Sequence, residues 1–111
     1  MNVYEEAHNL ARAIKESEEF KEYKSLHEEI GKDEQVKTMI NDFMKKNMEV
    51  QASQISGKEA GEDLVNQMQS LYQMLMTKPL AAKFLEAEMR VSVMFKDVLD
   101  IIGEPMNIEN K

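Results

Sequence analysis

Apolar residues recur every third or fourth position along this chain, and the strict alternation of a half-buried strand is missing. Val3, Ala7, Leu10 and Ile14 stand 4, 3 and 4 residues apart and form one stripe, which predicts a first helix over residues 3–15. Ser17 interrupts that pattern and is placed to cap a second helix over 18–30, with Glu18 and Glu19 in its first turn against the positive end of the helix dipole. Phe20, Tyr23, Leu26 and Ile30 make its stripe, and Gly31 suits a left-handed terminating residue. Asp33 is the next cap, opening a long helix over 34–55 through Val36, Ile40, Phe43, Asn47 and Val50, its apolar face widened by Met44, Met48 and Ile55. Asp33 with Lys37 and Asp42 with Lys46 are favourable pairs four residues apart.

Ser56-Gly57 is a turn signal, and beyond it Gly61, Leu64, Met68, Leu71 and Leu75 define a fourth helix. It should break at Thr77-Lys78-Pro79, with Thr77 as a cap for the next helix, because the residue before a proline avoids the α region while proline suits a helix's first position. A fifth helix over 79–102 then repeats Leu80, Phe84, Ala87, Val91, Met94, Val98 and Ile101, with a second row of Ala81, Leu85, Phe95, Leu99 and Ile102 beside it. Gly103 and Pro105 end it, leaving residues 106–111 as a loose tail.

The pattern specifies an all-α chain of about five helices, a single domain over residues 1–105, with an antiparallel helical hairpin around Gly57. The third, fourth and fifth helices should supply most of the core. A chain of 111 residues has few layers with which to cover a two-rowed fifth helix, so a homodimer is expected. Phe84, Ala87, Val91, Met94, Phe95, Val98 and Ile101 are its candidate packing or dimer interface. Asn47 interrupts an apolar seam, where a buried polar residue fixes register; a slight rotation that leaves it at the rim is the alternative.

Charge narrows the function. Fourteen basic against twenty-one acidic residues give a net charge of −7, spread with no acidic tail and no basic block. Phosphate and anionic lipid both need concentrated Lys and Arg, so neither direct nucleic-acid binding nor membrane attachment is expected. The chain has no cysteine, which removes disulfides, thiolate catalysis and cysteine ligation of zinc or iron–sulfur. No apolar run is membrane-spanning, and the N-terminus mixes acidic with apolar residues unlike a signal peptide, so the cytoplasm is the expected compartment.

Candidate chemistry is sparse. Glu5 and His8 share a helix face, but a bundle metal site needs a second Glu-x-x-His, and His27 has Lys24 in that place. No metal and no cofactor is expected. Glu86 and Glu88 point in different directions on a helix, and Glu86 is better placed to pair with Arg90. Arg90 itself either forms that surface pair, bridges an interface or reaches into a ligand groove. The 10 methionines suit core or dimer packing, or else an adaptable binding groove. There is no phosphate loop and no nucleophile elbow, so no catalytic residue is assigned.

Several local signals occur in a telling order. Glu16-Ser17-Glu18-Glu19-Phe20 starts a helix, Asp33 follows a short break, and Ile40-Asn41-Asp42-Phe43 lies inside a long helix. Gly57 marks the hairpin, Phe84-Leu85-Glu86-Ala87-Glu88 falls early in another long helix, and Val98-Leu99-Asp100-Ile101-Ile102 closes it. Over residues 3–105 this resembles the YlbF/YmcA-like family of small bacterial helical proteins, in particular its YheA-like branch. The resemblance implies an all-helical, dimeric cytoplasmic protein of a Firmicute-like bacterium. It also implies kinship with regulators or adaptors that support competence, sporulation, biofilm formation and messenger-RNA processing through an endoribonuclease. The iron–sulfur clusters linked to that complex find no thiolate ligand in this chain.

The resulting expectation is a non-enzymatic protein that works through self-association and protein binding with an unspecified partner. A regulator of RNA processing or development is the alternative, and a metal-dependent bundle enzyme is a third.

Overall fold

The computed structural model describes residues 2–59 and 61–106. They form α1 (Val3–Glu16), α2 (Glu18–Ile30), α3 (Glu34–Ile55), α4 (Glu62–Met76) and α5 (Pro79–Ile102), followed by a short 3-10 helix, Glu104–Met106. Among the described residues there is no strand. The all-α reading and the order of five helices therefore hold. Met106 closes the 3-10 helix, and the remainder of the expected tail, residues 107–111, lies outside the described residues.

Most helix ends follow from single side chains. Asn2 accepts from the Tyr4 backbone N–H at 2.8 Å and so starts α1. The Ser17 hydroxyl donates to the Ile14 carbonyl at 2.6 Å, closing α1, and accepts from the Phe20 N–H at 3.2 Å, opening α2. Asp33 accepts from the Val36 N–H at 3.2 Å. That carboxylate serves the cap, and the expected pair with Lys37 does not form, whereas Lys46 does meet Asp42 at 2.9 Å.

Two local expectations are corrected. Gly31 does not adopt a left-handed conformation; Gly57, at φ +80°, is the one glycine with positive φ among the described residues. The α2–α3 connection instead tightens through bonds from Lys32 to the Glu29 carbonyl and from Asp33 to the Ile30 carbonyl, which bring the Asp33 cap directly onto the end of α2. Thr77 does not cap α5. Its hydroxyl donates to the Met74 carbonyl at 2.6 Å and so finishes α4. The break before Pro79 is real: α4 stops at Met76, α5 begins at Pro79, and the Lys78 carbonyl accepts the first bond of α5 from Ala82.

The chain divides into two compact units. One is His27–Lys83, built on α3 and α4 side by side across the Gly57 turn. Its buried residues are Ile30, Val36, Ile40, Leu75 and Ala81, and Phe43 meets Tyr72 at a ring separation of 5.9 Å. Leu75 is 0% exposed. The other unit comprises the described parts of Met1–Leu26 and Phe84–Lys111. Leu26, Phe84 and Ala87 are buried there, with Tyr23 stacked on Phe84 at 5.5 Å. Counted over the two units, α3, α4 and α5 supply most of the buried residues, and α2 adds Ile30 to the first unit and Leu26 to the second. Met48 and Ile55, expected to widen the apolar face of α3, are exposed.

Candidate protein-interaction surface

α1 has the cleanest apolar stripe of the chain and no buried residue. Val3 is 81% exposed, and Leu10 and Ile14 are only half-buried. These side chains line one wall of an open groove of about 650 Å³ whose other wall is the last two turns of α5, through Phe95, Leu99 and Ile102. Phe95 is 51% exposed. Glu6 is the groove's one charged lining residue. An isolated helix of fourteen residues is marginal in water, so α1 needs its apolar face covered.

A second groove of about 650 Å³ lies against the outer side of α5. Val93 follows Phe84 by about two and a half helical turns and so faces away from it. Val93 is 53% exposed and Met89 is 67% exposed. Glu19 of α2, with Glu86, Arg90 and Asp97 of α5, forms the polar rim. Arg90 sits 2.5 Å from Glu86 and 3.4 Å from Glu22, so the expected surface pair exists and is extended by a second carboxylate. Arg90 also lines the groove.

The sequence-derived interface residues are distributed unevenly. Phe84 and Ala87 lie inside the chain's own interior, and Val91, Met94 and Val98 are half-buried. Phe95 and Ile101 are open. Val98 lines both grooves, Phe95 the first and Met94 the second. Asn47 is half-buried on α3. The role of α1 as a groove wall was not singled out from sequence, although its stripe was visible there. The pairing of Met89 and Val93 was also missed, and its signal was two apolar residues on an otherwise charged helix side.

In the other unit, a groove of about 500 Å³ between α3 and α4 is lined mainly by polar residues, including Asp42, Lys46, Asp63 and Asn66. Among the described residues no three His, Asp or Glu side chains converge as a cation site, and Glu5 and His8 both lie exposed on α1. No helix among the described residues is long and apolar enough to cross a membrane.

Comparison with known proteins places the chain in a family. Residues 3–107 match the family described as control of competence regulator ComK, YlbF/YmcA. A UPF0342 protein of Caldicellulosiruptor saccharolyticus is 37% identical over 110 residues, covering 99% of this chain and 92% of the relative. One from Alkalihalophilus pseudofirmus is 41% identical over 105 residues, covering 95% and 89%. Among solved structures, a protein of unknown function (DUF964) from Bacillus stearothermophilus has the same fold with a TM-score of 0.77, at 22% identity and over 95% of this chain and 92% of its own. Bacillus subtilis RicA, solved in complex with RicF, is similar at a TM-score of 0.60 and 23% identity, over 98% and 96%. With a family match spanning almost its whole length and relatives alike from end to end, the chain belongs to the YlbF/YmcA family.

Proposed function

We propose that this protein is a non-enzymatic adaptor of the cytoplasm that forms a homodimer and acts by binding other proteins. The observation that carries the reading is the open apolar groove between α1 and the end of α5. Monomeric proteins rarely leave contiguous apolar patches beyond a few hundred Å² uncovered. A second copy offers the same face, and two such faces meeting about a twofold axis cover one another. The interface residues expected from sequence include Phe95 and Val98 in this groove, and α1 supplies the opposite wall.

The family's competence-control description supports a regulatory role, and the RicA–RicF complex supports partnership with another protein. Involvement in RNA processing is the more specific version of the same reading.

Light scattering after size exclusion tests the dimer. At micromolar concentration the expected mass is twice 12.8 kDa. Leu10→Asp and Phe95→Asp should each return the mass to a single chain, because an unpaired carboxylate is costly in an apolar contact. Both positions are accessible in the single chain, so each variant should retain its helicity. A monomeric native protein at that concentration contradicts the proposal.

A further inference from the structure

The second groove has an occupant of different chemistry. We infer that the outer side of α5, with Glu19 of α2, docks a basic amphipathic helix of a partner protein. This surface shares only Val98 with the groove proposed for the dimer, and Glu19, Met89, Val93 and Asp97 lie outside that groove, so the inference stands whether or not that dimer forms.

Three observations carry it. The floor is apolar but belongs to no interior of the chain: Met89 is 67% exposed and Val93 is 53% exposed. Methionine adapts its shape to varied apolar partners, as a docking floor requires. The rim is acidic, and its one cation is already engaged, since Arg90 lies between Glu86 and Glu22. Glu19 and Asp97 form no ion pair among the described residues, so two carboxylates stand open at the edges of the apolar floor. Finally, the lining positions Glu86, Met89, Val93 and Asp97 step along α5 by three or four residues. They span about 16 Å of helix, the length of three turns on a partner.

Charge decides among occupants. Another copy of this chain carries a net −7 and would bring like charge to the rim. Nucleic acid is repelled for the same reason. A helix with an aliphatic stripe flanked by Lys or Arg satisfies floor and rim together, the stripe on Met89 and Val93 and the cations on Glu19 and Asp97.

The test uses the full chain, isotope-labelled, titrated with a synthetic eighteen-residue Leu/Lys peptide that forms an amphipathic helix. A scrambled peptide of the same composition serves as control. Amide and methionine-methyl shifts should cluster on Glu19 and on Glu86–Asp97, and affinity should fall as salt is raised. Met89→Ala combined with Val93→Ala should weaken binding at least fivefold. Glu19→Lys combined with Asp97→Lys should weaken it at least tenfold. All four side chains are exposed, and unchanged circular dichroism would verify that the fold survives. Shifts centred on α1 or on the α3–α4 groove would overturn the inference. Equal binding of the scrambled peptide, or no binding at millimolar peptide, would overturn it as well.

Discussion

α1 and α3 carry the same kind of apolar rhythm, yet they meet different fates. α3 turns Val36 and Ile40 into the interior of its unit, next in chain to an α4 that buries Leu75 completely. α1 buries nothing. Helical periodicity specifies which side of a helix is apolar, but it does not say whether the same chain covers that side. In the hairpin, the turn at Gly57 delivers the covering helix a few residues later, and so local connectivity closes the core. The stripe of α1 ends at Ser17, where the chain passes into α2, and its groove with Phe95 and Leu99 remains open. That contrast separates a unit that completes itself from one that presents a surface.

Substitutions should sharpen the difference. The largest effect belongs to the closed unit: Leu75→Ala should lower stability by about 2–5 kcal/mol, since deleting a fully buried leucine loses both transfer energy and packing. Urea denaturation checks this, and the loss should be the same at every protein concentration. A smaller effect is expected at the entry to the same hairpin. Asp33→Ala removes the acceptor of the Val36 N–H and should cost about 1 kcal/mol, read from the same denaturation curves. Smallest of all is chelation. Prolonged dialysis against EDTA should leave the melting temperature unchanged, because a metal bound to the folded state would add stability that chelation removes.

Helix identity was legible because spacing, caps and breakers agreed. Ser17, Asp33 and Pro79 each marked a boundary that the structure keeps. Gly31 misled because glycine permits a left-handed ending without requiring one, and the bonds from Lys32 and Asp33 close the turn another way. Met48 and Ile55 misled for a different reason. They continue the apolar rhythm of α3, but they stand roughly 140° and 120° around the helix from Phe43, the residue that meets Tyr72 of α4, and so lie on a side that α4 does not cover. The grooves were the least legible feature. Each needs residues far apart in sequence, Leu10 with Phe95 in one and Glu19 with Val93 in the other, and periodicity within one helix carries no such pairing.

The central claim is that a second copy covers the apolar face of α1. Amide hydrogen exchange across residues 6–16, measured over a dilution series, tests it most directly. Protection at micromolar concentration that disappears on dilution is the predicted result, while the amides of Ile40 and Leu75 stay protected throughout. Exchange in α1 that is equally slow or equally fast at every concentration would contradict the account.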